Sequence, residues 1–189
     1  MPDKPAVRGQ VRAVGRGGDA VVETKDGVVL VPGALPGEEV EIRLSESSRG
    51  AARGHLTRVL RASGERREPA CLDAARCGGC PLMIAGPDLQ REIKQGFLRD
   101  ACRALPGADE TEIEWVASPA ELGYRRRARL AWHQDTIGYR KLHSKRVTNI
   151  ERCIVLMEPL RTAWDDVRAV LGSWLSGAGE IHLELTEAD

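Results

Sequence analysis

The chain has 189 residues, 42% of them hydrophobic, with 28 basic against 28 acidic side chains and a formal net charge of zero. That size and apolar content give an ordinary soluble composition with enough material for one medium domain or two small ones. No stretch approaches the ~18 apolar residues of a membrane span, and "MPDKPAVRGQVRAVGRGG" lacks the apolar run of a signal peptide, so a cytoplasmic protein without membrane contact is expected.

In chain order, residues 6–60 read as short strands separated by glycine-containing turns: "VRGQVRAV", "AVVETKDGVVLV", "EEVEIRL" and "GHLTRVL". Asp26-Gly27 between two valine-rich runs is a hairpin signal, because tight hairpin turns need positive φ. Pro32, Gly33, Pro36 and Gly37 punctuate the next connection. Four or five strands in about 55 residues predict a small barrel that closes its own edges, broadly like an OB fold. The polar "SGERREPA" (63–70) reads as a linker.

Further on, Leu89, Ile93, Phe97 and Ala101, with Leu98, Cys102 and Leu105, recur in steps of three and four. They predict a helix face, with Asp88 as N-cap and Pro106-Gly107 as the stop. Two strands, "RRRARLAWH" and "TIGYRKLH", follow around a Gln134-Asp135 turn, then a helix over 158–175 and a strand "EIHLELTE". A single strand after a helix implies further sheet partners, so the chain is expected to stop inside a domain. The fold class is α+β: a small β-barrel, then an incomplete α/β region.

Three of the five cysteines, Cys71, Cys77 and Cys80, fall in the spacing Cys-x5-Cys-x2-Cys, with Gly78-Gly79 allowing a tight bend. In a reducing compartment such a cluster points to metal or thiol chemistry rather than disulfides. For a fourth ligand, Cys102 lies on the apolar helix stripe, where a small buried hydrophobe explains it. Cys153, among polar neighbours Glu151 and Arg152, is the better choice. Spacing favours an iron–sulfur cluster modestly over structural zinc, which usually brings two short paired motifs. A Cys77/Cys80 redox dithiol and three unliganded cysteines in a loop stay open as alternatives.

"CLDAARCGGC", "DLQREIKQ", "GYRRRARL", "IGYRK" and "VTNIERCIVL" together resemble the iron–sulfur-containing RNA uracil-5-methyltransferases of the TrmA/RumA type. "GRGGDAVVETKDGVVLVPGALPGEEVEI" is similar to the TRAM domain, a small RNA-binding barrel carried by many of those enzymes. The resemblance implies a TRAM-like barrel over 1–62 and, over 63–189, an iron–sulfur loop with part of a central RNA-binding domain. It implies a [4Fe-4S] cluster on Cys71, Cys77, Cys80 and Cys153. It also implies a C-terminal domain, absent from these residues, that would bind S-adenosylmethionine and carry the catalytic groups. The expected function is therefore the N-terminal part of a 23S rRNA (uracil-5-)-methyltransferase-like protein, with rRNA favoured over tRNA by the TRAM-like barrel. The alternative is a free-standing, non-catalytic iron–sulfur or zinc RNA-binding module.

Between Tyr124 and Arg146, eight basic residues stand against a single acid, Asp135, while residues 147–189 carry eight acids and three arginines. Guanidinium groups bond phosphates in charge-assisted, often bidentate fashion. Arg125, Arg127 and Arg129 alternate onto one face of a strand and are the expected phosphate contacts, with Arg140, Lys141 and Arg146 beside them. Tyr124, Trp132 and Tyr139 are the candidates to stack on bases. The competing reading is a solvated charged face balanced by the acidic tail.

Overall fold

The computed structural model describes residues 6–45, 51–172 and 174–186. Five strands come first: β1 (Ala6–Val14), β2 (Asp19–Thr24), β3 (Gly27–Pro32), β4 (Glu39–Leu44) and β5 (Ala52–Arg61). Helix α1 (Pro87–Cys102) follows, then β6 (Arg127–His133), β7 (Thr136–Arg140), β8 (Val147–Asn149), α2 (Glu158–Leu171) and β9 (Ala178–Glu184). The chain forms two compact units, Met1–Pro69 with Pro81–Ile113, and Ala70–Cys80 with Glu114–Asp189.

The first unit holds a closed barrel in the order β1-β2-β3-β5-β4, the small OB-like form the strand pattern predicts. Every pairing is antiparallel except β3 with β5. Period-two alternation sends Ala20 and Val22, Val29 and Val31, and Val40 and Ile42 inward, where they pack with Val11. Direct cross-strand pairs link Val11 to Val22 and Val22 to Val29. The interior is built from small and β-branched side chains, each burial stabilising by roughly 1.5–3 kcal/mol for a valine or isoleucine. At the β2–β3 hairpin, Gly27 has φ +123° and pairs with Thr24, whose hydroxyl accepts from the Asp26 N–H and donates to the Gly27 carbonyl. The positive φ thus falls on the residue leaving the two-residue turn.

One end of the barrel is closed by a carboxylate. Glu38 is fully buried, and its Oε1 and Oε2 receive Arg66 Nε at 2.6 Å and Nη2 at 2.9 Å. The same carboxylate accepts backbone N–H bonds from Leu35 at 2.9 Å and Ser63 at 3.2 Å, while Arg66 also donates to the Gly33 carbonyl at 2.7 Å. Residues 63–70, expected as a linker, therefore supply the counter-ion of the barrel. Their polarity is that of a buried ion pair rather than of a solvated tether.

Helix α1 starts two residues earlier than expected. Gly86 is the N-cap and Pro87 takes the first helical position, where its missing N–H costs nothing. Asp88 instead sits in the first turn, favourably placed against the helix dipole and paired with Arg91 at 3.2 Å. Of the expected apolar face only Ile93 is buried, and Leu98 and Leu105 lie exposed.

In the second unit four strands form one sheet, β8-β7-β6-β9. The β6–β7 hairpin turns where expected, with Gln134 in the left-handed region at φ 54°. Strand β8 was not foreseen; three residues are too few to show a period. Helix α2 ends at Leu171, four residues short of its expected end, with Gly172 as C-cap. The closing strand finds a sheet partner earlier in the chain rather than only after it as expected: β9 pairs antiparallel with β6 from Arg127↔Glu184 to His133↔Ala178. Ala128, Leu130 and Ile137 from the sheet pack with Leu160 and Trp164 of α2, and Tyr139 meets Trp164 edge-on with ring centroids 5.4 Å apart.

Burial raises the Glu38 pKa, but the bonds from Arg66, Leu35 and Ser63 outweigh that and hold it below the usual carboxylate value. A depressed folded-state pKa means that its stabilisation is complete above the ordinary glutamate pKa and lost as pH falls through the lowered value. We expect Glu38→Gln, which leaves Arg66 without its counter-charge, to cost about 3 kcal/mol. Urea denaturation should register this at pH 7, with the gap between variant and parent narrowing in acid.

Candidate nucleic-acid interface and the cysteine segment

Alternation along β6 divides its side chains between two environments. Ala128 and Leu130 are buried beneath α2, and Trp132 is partly buried on the same side. Arg127 and Arg129 project from the other face, opposite Glu184 and His182 of β9. Because Ala131 lies across from both Gly138 and Glu180, the β7 residue Arg140 and the β9 residue Glu180 share that outward face. The expectation that Arg127 and Arg129 share a solvent face agrees with this register. Arg125 lies ahead of the strand, where its backbone bonds to Val155 and Met157 and it bridges in parallel to Leu156.

These arginines are not bare. Arg127 Nε stands 2.6 Å from Glu184, Arg129 Nη2 2.7 Å from Glu180, and Arg140 Nη1 2.6 Å from the other oxygen of Glu180. Bonds from Arg140 and Arg129 hold the Glu180 carboxyl below its usual pKa, so it is ionised at neutral pH. The acidic tail balances the basic segment through these specific contacts on β9, and no motif in the sequence marks Glu180 or Glu184 as partners. Among the described residues Lys141 and Arg146 are exposed and make no ion pair.

Beside the ion pairs runs a groove of about 680 Å³, lined by Tyr124, Arg125, Arg127, Arg129, His182 and Glu184 among others. Tyr124 is exposed there. The other two aromatic candidates are placed otherwise. Tyr139 packs on Trp164 in the core, and the ring of Trp132 lies against Gly179, so neither presents a face for a base.

The cysteine segment forms a run of turns, with Cys77 N–H donating to the Asp73 carbonyl at 2.8 Å and Gly78 N–H to the Arg140 carbonyl at 3.1 Å. This brings Cys77 and Cys80 within electrostatic reach of both Cys71 and Cys153. The expected [4Fe-4S] cluster, and the iron–sulfur loop with it, nevertheless has to be corrected. Among the described residues no three Cys, His, Asp or Glu side chains converge closely enough to hold a metal ion, and the same finding removes the zinc alternative. Burial pushes the Cys77 and Cys80 thiols up, reinforced by the nearby Cys153. All five cysteines are free, half-buried thiols, Cys102 on α1 among them. The Tyr139 hydroxyl, buried near Cys153, makes no hydrogen bond of ordinary geometry, and burial drives its pKa up, which keeps the phenol protonated.

A closed five-stranded barrel is followed by an α/β unit, and residues 10–57 of the chain match the TRAM domain. The match beyond the barrel is to enzymes. The chain is 39% identical over 183 residues to the 23S rRNA (uracil(1939)-C(5))-methyltransferase RlmD of Shewanella sediminis, covering 91% of this chain and 40% of that relative. It is 38% identical over 167 residues to the RlmD of Vibrio cholerae, covering 85% of this chain and 38% of the relative. Among solved structures, the Pyrococcus abyssi tRNA (uracil-54, C5)-methyltransferase superposes with a TM-score of 0.60 at 26% identity, over 88% of this chain and 37% of that one. The chain belongs to the RNA uracil-C5-methyltransferase family, as its motifs indicated, and spans about two-fifths of the length of the curated relatives it matches. No helix of the described residues is long and apolar enough to cross a membrane.

The arginine face depends on close strand approach at Gly138. A Cβ added there would fall 2.0 Å from the Thr148 carbonyl oxygen, a backbone atom that cannot swing aside. Gly138→Ala should force β7 and β8 apart and destabilise the second unit by about 1–3 kcal/mol. Hydrogen exchange should report this as faster exchange at Tyr139 and Asn149, with the barrel amides unchanged.

Proposed function

We propose that this chain is the RNA-holding portion of a 23S rRNA uracil-C5-methyltransferase-like protein. Arg127, Arg129 and Arg140 of the sheet, with Arg125, Lys141 and Arg146 around them, contact RNA phosphates, and Tyr124 offers the one exposed aromatic face beside them. The observation that carries the reading is the arginine-lined groove on the outward face of the second unit, in a chain whose relatives across both units are named as 23S rRNA methyltransferases. The barrel adds a second RNA contact, in keeping with its TRAM match.

The sheet suits this task because its other face is occupied. Ala128, Leu130 and Ile137 are fixed by packing under α2, so the guanidinium groups are carried on a rigid support. Single-stranded RNA presents both phosphates for the arginines and an unstacked base for Tyr124. Methyl transfer itself is assigned to no residue here. Among the described residues, no strand leads through a Gly-rich turn into a helix in the manner of a nucleotide-cofactor site. Neither Cys102 on its helix nor Cys153 in its turn is placed as a nucleophile.

The test is fluorescence anisotropy with a short, labelled, uridine-containing single strand across a range of salt. The parent chain should bind with a steep salt dependence. The double variant Arg127→Ala/Arg129→Ala should bind more weakly, with the slope of log K against log salt shallower by about 1.4 for two lost contacts. An unchanged slope would remove these arginines from the interface. A strong preference for tRNA over 23S rRNA fragments would favour the substrate in the name of the Pyrococcus enzyme.

A further inference from the structure

Building on the RNA-contact reading, we infer that Glu180 and Glu184 of β9 are placeholders for RNA phosphate. They occupy the guanidinium groups of Arg129, Arg140 and Arg127 in the free protein and are displaced from them when a single-stranded RNA backbone enters the groove. Three observations support this.

The first is geometry. Glu180 spans two guanidinium groups, one on each of its oxygens, at 2.7 and 2.6 Å, and Glu184 holds a third at 2.6 Å. Two anionic oxygens shared between two arginines is the arrangement a phosphodiester would also adopt, since phosphate and carboxylate present similar oxygen pairs to the guanidinium fork.

The second is exposure. The side chains of Arg127 and Arg129 are 79% and 65% exposed, so these are solvent-facing pairs rather than buried ones. Pairs of that kind contribute little to folding, so giving one up costs the fold little. The contrast within the same chain is Glu38 with Arg66, where the carboxylate is fully buried and the pair is fixed.

The third is charge. With Glu180 ionised, the Arg129–Glu180–Arg140 cluster presents a net charge of about +1 to an incoming phosphate, and without it about +2. His182 faces the same cluster, with Nε2 3.7 Å from Glu180. The β9 acids therefore hold the guanidinium groups in place in the absence of RNA, Glu180 gathering two of them onto one carboxylate, and they lower the attraction of this face for anions that cannot make several contacts together. A chain of phosphates with a base on Tyr124 can displace both glutamates, whereas a small anion cannot.

The experiment uses the full 189-residue chain and the same labelled single strand. Glu180→Gln should tighten RNA binding by roughly two- to fivefold, with a steeper salt dependence, because phosphate no longer has to displace a carboxylate. Glu184→Gln, acting on a separate arginine, should do the same to a smaller extent. Glu158→Gln is the control, since Glu158 pairs with Arg161 and Arg152 in α2 and its surroundings, away from the β9 face. It removes the same charge and should leave affinity unaltered. Equal tightening by Glu158→Gln would reduce the effect to net charge and overturn the placeholder role. Unchanged or weaker binding by both Glu180→Gln and Glu184→Gln, in a parent that binds RNA, would overturn it as well. A parent chain that fails to bind any single strand would instead overturn the RNA reading itself.

Discussion

The two-residue period of β6 is the constraint from which the second unit follows. A strand cannot place neighbouring side chains on one side, so "RARL" must give one set of residues to the core and the other to solvent. Ala128 and Leu130 take the core and dock α2, and Arg127 and Arg129 take the opposite side. Charge on the outer face and apolar contact on the inner one are thus coupled through a single backbone. A one-residue slip of β6 against β9 would bury arginines under Trp164 and take them away from their glutamate partners on β9. Register is consequently enforced from both sides.

In the first unit the limiting factor is side-chain size. The chain has one phenylalanine and four tryptophans in total, and none of these enters the barrel interior, which is closed with valine, alanine and isoleucine. Small side chains fill a narrow barrel well but bury modest area each, so the unit also relies on polar closure. Glu38 gathers Leu35, Ser63 and Arg66 onto one carboxylate, which fixes the strand-connecting segment 32–38 and the segment after β5 together. Asp19, nearly buried and 2.9 Å from Arg53, ties β2 toward β5 in a similar way.

The elements with strong local signals were legible in advance. The five barrel strands, the Gln134-Asp135 hairpin and α2 all follow from alternation, turn chemistry or helical spacing that a window of ten residues contains. What was not legible depends on residues far apart. Glu180 gives no sign that Arg129 and Arg140 will share it, because the pairing exists only once β9 lies beside β6. Arg66 looked like part of a polar linker, since nothing near it announces a buried acid 28 residues earlier. The apolar stripe of α1 was a true helical signal, yet periodicity does not say how far a partner surface covers it, and Ile93 alone of the stripe is buried. The cysteines are the opposite case. Spacing and resemblance pointed to a metal centre, but convergence of three donors on one point is a tertiary property, and the described side chains lack it.

The span recognisable as a TRAM domain ends at residue 57, whereas the groups that neutralise Glu38 lie at 63 and 66. The recognisable module and the self-sufficient module are therefore different lengths of chain. Cutting at the edge of the sequence match would preserve the fully buried valines of the barrel and still leave a carboxylate sealed inside without its guanidinium. A barrel excised for study, or grafted onto another protein, has to carry the following segment with it. Its transferable unit is defined by where the last buried charge is answered, not by where the strands end.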